Sequence, residues 1–218
     1  MSAAQSGTKT EPGGRRRAPK GEGSRLRGEI LDATETLLVQ TGNADSVSIR
    51  AIADAVGVTP PSIYRHFDDK DELVNAICER RFADLNATFN VADEFDDPVV
   101  RLRELGRAYG RFALEHPEHY RVIMMTTSSR EKLKDESSDE SSQGQTAFGR
   151  LVAAVHACQE AGRIVSGDPS TIAVVLWSGV HGLVSLLITS PGFPWPADPA
   201  TLLEGVLDAQ MASLLTHD

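Results

Sequence analysis

Residues 48–67 of this 218-residue chain read SIRAIADAVGVTPPSIYRHF, two short helical patterns separated by a glycine. Ser48 is a suitable N-cap for the first pattern, in which apolar residues recur at three- and four-residue steps until Gly57 ends it. Thr59 can cap the second helix, and Pro60 suits its first position. Two such helices joined by a Gly-containing turn are typical of a helix-turn-helix that enters the DNA major groove, although the same spacing also occurs as a packing corner.

The rest of the chain keeps a helical period, which predicts an all-α fold of about nine helices. A strand over residues 174–176 is not expected, because that apolar run lies inside a twenty-residue helical pattern. Residues 127–145 lack any period and are predicted to form a loop. Besides the two short helices, we expect helices over residues 26–42, 69–89, 97–116, 117–124, 146–161, 168–189 and 198–215.

Composition places the chain among folded proteins of the cytoplasm. Its residues are 40% hydrophobic and 24% charged, close to globular averages. Cys78 and Cys158 are too few for a disulfide framework or a zinc cluster, which favours a cytoplasmic location. No signal peptide and no membrane span are expected, since no stretch reaches about 18 consecutive apolar residues.

The net charge of −9 is unevenly distributed along the chain. Residues 1–27 carry seven Lys or Arg side chains against two Glu, a net charge of +5. Residues 81–218 carry 11 basic against 19 acidic side chains, a net charge of −8. The acidic net charge of the whole chain therefore does not exclude a nucleic acid as a partner of its N-terminal part. The Arg-rich segment itself is either a solvated tail or an extension that follows phosphates.

The markers quoted above, together with Tyr-x-His-Phe-x-x-Lys at residues 64–70, resemble the N-terminal domain of TetR-family transcriptional regulators. The similarity covers roughly residues 26–75. It implies an all-α homodimer with a three-helix DNA-binding domain and a C-terminal domain that dimerises and binds a small-molecule effector. The implied organisation is a disordered basic arm (1–24), a DNA-binding domain (25–75) and an effector-binding and dimerisation domain (76–218).

Nine residues are candidates for contact with a double-stranded DNA operator. Arg50 can reach a guanine edge or a phosphate. Hydroxyl groups at the start of the second helix favour phosphate, and the resemblance implies that Lys70 clamps the backbone. The set comprises Ser48, Arg50, Thr59, Pro60, Pro61, Ser62, Tyr64, His66 and Lys70.

Pro60 and Pro61 depart from the family pattern, because relatives often place polar base-reading residues there. We therefore expect sequence recognition through contacts with thymine methyl groups and through DNA shape, with an affinity dominated by phosphate contacts. Contact between the basic arm and the minor groove is left open.

The C-terminal part contains Trp177-Ser178-Gly179-Val180-His181-Gly182, which with residues 117–124 is similar to the Trp-His-Gly type of TetR ligand-binding domain. Trp177 and His181 share one helical face. The alternative is that Trp177 is a core residue and that His181 is a core or interface histidine whose hydrogen bonds are made within the protein. The candidate ligand-binding residues are Tyr109, Phe112, Tyr120, Met124, Trp177 and His181.

The last two helices carry more apolar surface than one domain covers, which predicts a four-helix dimer interface. The residues expected there are Ile172, Leu176, Leu183, Leu187, Leu202, Val206 and Leu214.

The functional hypothesis is a ligand-responsive repressor that binds a palindromic operator as a homodimer. The alternatives are an activator of the same fold and a helical small-molecule binding protein without DNA function. No enzyme motif is present, so neither catalysis nor a cofactor is expected. Metal binding by His116 and His119 is disfavoured, since Pro117 breaks the helix between them.

Overall fold

The computed structural model describes residues 22–42, 44–125 and 142–216, and nine α-helices occupy most of these ranges. The predicted all-α architecture is confirmed. The helices are α1 (Glu22–Thr41), α2 (Ile49–Val56), α3 (Pro60–Ile63), α4 (Lys70–Thr88), α5 (Pro98–Glu115), α6 (Pro117–Met125), α7 (Gln143–Glu160), α8 (Pro169–Thr189) and α9 (Pro199–Leu214). Two 3₁₀ segments, Ala44–Ser46 and Phe89–Glu94, follow α1 and α4.

Capping side chains set most helix starts where the sequence predicts them. Ser48, Asp69, Asp97, Asp168 and Asp198 each accept a hydrogen bond from a main-chain N–H of the first helical turn. Three of these aspartates precede a proline at the first helical position. Such local pairing satisfies donors that have no intrahelical partner, so the helix starts can be recognised without tertiary information.

Helix α7 begins earlier than predicted, at Gln143 rather than Thr146. Ser142 Oγ accepts from the Gln145 N–H at 3.1 Å, and the Gln145 side chain accepts from the Ser142 N–H at 3.1 Å. This capping box stabilises the first turn within a polar segment that lacks apolar periodicity. The remainder of the predicted 127–145 loop, up to residue 141, lies outside the described residues. So does most of the predicted basic arm, although α1 already begins at Glu22.

Helices α1 to α4 enclose a small apolar core beneath the two short helices. Ile30, Ile52, Ile63 and Phe67 are at most 1% exposed. The turn after α3 is held by the Ile63 carbonyl, which accepts from the N–H groups of His66 and Phe67. Ile63 and Phe67 therefore anchor the second short helix to the core.

Helices α5, α7, α8 and α9 form the C-terminal bundle, and α4 extends into it. Among the described helices, α8 is long and apolar enough to span a membrane by length and composition, with a mean hydropathy of 2.0. It packs against α5, α7 and α9, and buries residues such as Ala173, Val180 and Val184. Its apolar character is therefore used at least in part for packing within the bundle.

Candidate DNA-binding surface and ligand cavity

The connection between α2 and α3 is fixed by main-chain geometry. Gly57 has φ of +74°, a left-handed conformation that favours glycine. The Val58 N–H donates to the Ala53 carbonyl at 2.9 Å, which closes the C-terminus of α2. Ala53 is fully buried, so its small side chain permits the close approach of neighbouring helices.

The candidate DNA-contacting residues share one solvent-facing region around α2 and α3. Arg50, Thr59 and Pro61 are exposed, and the Tyr64 side chain is 53% exposed. Because Arg50 and Tyr64 are exposed beside the buried core of the helix-turn-helix, their side chains can contact another molecule. Pro60, Ser62 and His66 are partly buried in the same region, and Ser48 is exposed.

Several polar candidates also have structural partners. Ser48 Oγ accepts from the Ala51 N–H at 3.1 Å and so caps α2. Thr59 Oγ1 lies 3.2 Å from Ser62 Oγ, which also accepts from Arg65 at 3.1 Å. These bonds order the start of the second short helix before any ligand binds.

Lys70 is partly buried, and its Nζ donates to the carbonyl of Ala44 at 3.1 Å. This bond joins the start of α4 to the segment between α1 and α2. An ammonium group has three donors, so one bond to a carbonyl is compatible with a further phosphate contact. The sequence does not reveal this second role, because the partner lies 26 residues away.

The C-terminal part contains a cavity of about 380 Å³ between α4, α5, α6, α7, α8 and α9. Four predicted ligand-binding residues, Tyr109, Met124, Trp177 and His181, line it. Phe112 and Tyr120 do not line it; both are buried behind the wall. Sequence reasoning missed several lining residues, since no motif marks them: Phe82, Phe89, Phe148, Gln145 and Gln210.

One corner of the cavity is polar. The hydroxyl groups of Tyr109 and Tyr120 lie 2.8 Å and 3.0 Å from Nδ1 of His181. The Trp177 ring packs between Phe148 and His181, with ring centroids 6.3 Å and 5.5 Å away. Trp177 is 38% exposed, so the alternative that it is a core residue is wrong. His181 has hydrogen-bond partners within the protein, and both residues also line the cavity.

The wall between α5 and α9 is tightly packed. A Cβ atom on Gly110 would lie 2.5 Å from Leu203 Cδ1, so a larger residue there would push against α9. Beside this contact, Arg107 donates to both carboxylate oxygens of Glu204, at 2.6 Å and 2.7 Å, and Arg103 donates to Glu204 at 2.8 Å. The bonds from Arg107, followed by those from Arg103, lower the pKa of Glu204 to about 2.

This lowered pKa makes the α5–α9 contact sensitive to acid. The carboxylate of Glu204 contributes stability above its ordinary pKa of 4.5, and the contribution is lost as the pH falls toward 2. We expect Glu204→Gln to flatten the dependence of unfolding free energy on pH between these values. The effect is modest because the side chain is 40% exposed. Urea titrations from pH 2.5 to 6 measure it, with Glu115→Gln at the exposed Arg111 pair as control. Parallel pH profiles for wild type and Glu204→Gln would contradict the expectation.

The residues His116, Glu118 and His119 present possible metal-ligand atoms within 4.8 Å of one another. The sequence disfavours metal binding here, because Pro117 breaks the helix between His116 and His119. In the structure the possible ligand atoms nevertheless lie close together. Desolvation and the positive charge of Arg81 lower the pKa of His119. The same guanidinium would repel a metal cation.

These features define a class of protein: a helix-turn-helix domain joined to a helical bundle that contains an apolar cavity. Residues 30–77 match the family model "Bacterial regulatory proteins, tetR family". Residues 102–210 match "Tetracyclin repressor-like, C-terminal domain". The chain belongs to the TetR family. The finer resemblance to the Trp-His-Gly type of ligand-binding domain stays a prediction.

Named relatives and a solved structure agree with this assignment. The transcriptional activator FasR of Mycolicibacterium smegmatis is 31% identical over 122 residues, 56% of this chain and 55% of its own length. The transcriptional repressor KstR2 of Mycobacterium tuberculosis is 32% identical over 106 residues, 48% of this chain and 51% of its own. The chain thus spans about half the length of these relatives. A Rhodococcus sp. RHA1 protein of unknown function superimposes with a TM-score of 0.69 at 27% identity, covering 88% of this chain and 96% of that one.

Proposed function

We propose that this TetR-family protein is a cytoplasmic, ligand-responsive transcriptional repressor that binds a palindromic operator as a homodimer. The observation that carries the proposal is the exposed pair of Arg50 and Tyr64 on a buried helix-turn-helix core. The division into a basic arm (1–24), a DNA-binding domain (25–75) and an effector and dimerisation domain (76–218) belongs to the same proposal. An activator of the same fold is the second candidate, because FasR is an activator.

The dimer is supported by an apolar face that one protomer leaves exposed. Val174, Val175 and Leu186 of α8 are 46%, 62% and 55% exposed. Only 33% of the apolar 18-residue window of this helix is buried. A second copy would cover the remainder, since exposed apolar patches of this kind mark interaction sites.

The residues of this dimer face differ in part from those expected from sequence. Leu176 and Leu187 lie in the core of the protomer, so they do not face a partner. Ile172, Leu183 and Val206 are partly buried and pack against the same core, as does Leu214. Leu202 is likewise partly buried.

Communication between the cavity and the DNA-binding domain is supported by the position of α6. Ile123 and Met124 of this helix line the cavity. One turn earlier, His119 Nε2 lies 3.8 Å from Glu35 of α1. An effector that shifts α6 would therefore act on α1 and change the separation of the two DNA-binding domains. Such a shift requires that the effector bind the two conformations with different affinity.

The DNA-binding proposal is tested by selecting operator sequences from a random duplex library and measuring affinity by fluorescence anisotropy. We expect Arg50→Ala and Tyr64→Ala each to weaken operator binding by about 10-fold or more, because each removes a contact worth about 1–3 kcal/mol. Both side chains are exposed, so the unfolding free energy should hardly change.

Arg111→Ala is the matched control, because Arg111 is an exposed arginine of α5 in the bundle. Absence of any selected duplex would favour a helical small-molecule binding protein without DNA function. A transcription assay with the selected operator separates repression from activation.

A further inference from the structure

The wall of the bundle cavity is uncharged. Among the described residues that line it, none is Asp, Glu, Lys or Arg. The polar groups are Tyr109, His181, Gln145 and Gln210. A charged ligand group buried among such residues would lose its hydration without gaining an opposite charge, which is costly.

The arginines nearest this wall in the described helices are already engaged. Arg103 and Arg107 of α5 both donate to Glu204, and Arg103 also pairs with Asp208 at 2.5 Å. Arg150 of α7 donates to Asp93 at 2.8 Å. None of these three arginines lines the cavity, so a carboxylate inside it would meet no guanidinium at the wall.

Both glutamines have structural partners too. The Gln210 amide donates to the main-chain carbonyl of Leu176 at 2.8 Å, and Gln145 completes the capping box of α7. Each of these bonds uses only one end of the amide, so both glutamines can contact a polar ligand group together with the corner that Tyr109 and His181 form.

The hydroxyl groups of that corner can form a hydrogen bond with an uncharged ligand group. Burial raises the pKa of Tyr109 and of Tyr120, so both phenols keep their protons at neutral pH. Two hydroxyl groups lie within 3.0 Å of His181 Nδ1, an atom that accepts a single O–H when the ring is neutral. Tyr120 does not line the cavity, whereas Tyr109 does. The Tyr109 hydroxyl also has side-chain hydrogen-bond contacts with Trp177 and Tyr120. A hydroxyl has one donor and two acceptor positions, so this group can redirect one of its bonds to a hydroxyl or carbonyl of the ligand.

We infer that the cavity binds an uncharged, largely apolar molecule with one hydroxyl or carbonyl group, which Tyr109 recognises, and that it discriminates against the same skeleton ending in a carboxylate. The inference deepens the proposed function, since it assumes that the effector occupies this cavity. The volume of about 380 Å³ and the aromatic lining of Phe82, Phe148 and Trp177 supply the apolar contacts.

The test compares tetradecan-1-ol with tetradecanoate on the full chain at pH 8. Both compete with the neutral fluorescent probe N-phenyl-1-naphthylamine, and both have the same chain length. We expect the alcohol to displace the probe at a concentration about 10-fold lower or more, because an unpaired carboxylate is costlier to bury than a hydroxyl. Equal or tighter binding of tetradecanoate would overturn the inference.

A second comparison uses Tyr109→Phe, which removes the hydroxyl and keeps the ring. We expect its affinity for tetradecan-1-ol to fall about 5- to 10-fold, the usual effect of one hydrogen bond. Probe binding should stay unchanged, which also shows that the variant folds. Glu115→Gln, at an exposed position of the same helix α5, is the control and should bind the alcohol like wild type. An unchanged alcohol affinity in Tyr109→Phe would contradict the role of this hydroxyl.

Operator anisotropy with the same preparations separates this inference from the proposed function. Operator binding that persists while the alcohol fails to bind overturns only the ligand class. Alcohol binding without any operator binding overturns the regulator and leaves the ligand class supported.

Discussion

Replacing Arg81 by methionine is expected to lower the free energy of unfolding by about 3–5 kcal/mol. Arg81 of α4 and Glu35 of α1 form a two-point ion pair, with Nε to Oε1 at 2.7 Å and Nη2 to Oε2 at 2.8 Å. Their side chains are only 10% and 12% exposed. Removing the guanidinium leaves the Glu35 carboxylate buried without its main partner. Urea denaturation at pH 7 measures the loss.

The neighbouring residue supplies the matched control. Arg80 pairs with Asp32 at 2.5 Å between the same two helices, but the side chains are 43% and 63% exposed. Arg80→Met should therefore cost at most about 1 kcal/mol. The double variant Glu35→Met/Arg81→Met should recover most of the loss, since it removes both buried charges. Equal losses in Arg80→Met and Arg81→Met would show that burial of the pair has no such consequence.

Replacing Leu186 by arginine is expected to convert the protein to a monomer and to weaken operator binding by about 100-fold or more. Leu186 is 55% exposed on the apolar face of α8, so a single protomer tolerates the change. In a dimer the new guanidinium would be buried without a partner, which costs about 3 kcal/mol or more per copy. Sedimentation equilibrium measures the oligomeric state, and anisotropy measures operator affinity.

Val91→Arg is the control for this substitution, because Val91 is a 42%-exposed valine in the 3₁₀ segment after α4. It should leave both the dimer and operator binding unchanged. A Leu186→Arg protein that remains dimeric would place the interface elsewhere.

The helices could be predicted from the sequence because their signals are local. Ser48, Gly57 and Asp69 act within a few residues of their own positions, as a cap, a turn and a second cap. The sequence predicts the start of α7 three residues late, because the capping box of Ser142 and Gln145 lies in a segment without apolar periodicity. The resemblance to the TetR family followed from the same short stretch, and the family matches confirm it.

The candidate sites were only partly predictable. The helix-turn-helix residues lie close together in sequence, so the sequence alone predicts that Arg50 and Tyr64 belong to the same site. The cavity brings together residues from six helices, and Phe82, Phe148 and Gln210 carry no motif that would assign them to it. Lys70 was expected to meet phosphate, and its bond to the Ala44 carbonyl became visible only in the folded chain.

The sequence by itself determined the all-α class, the helix-turn-helix and the family, because caps, turns and helical periods depend on residues within four positions of one another. The tertiary structure alone decided that Glu35 and Arg81 form a buried pair and that Trp177 and His181 face a cavity. It also decided that Val175 and Leu186, rather than Leu176 and Leu187, are the exposed apolar residues of α8. Which side of an apolar helix is covered depends on how neighbouring helices pack against it, and a single helical period does not encode that packing.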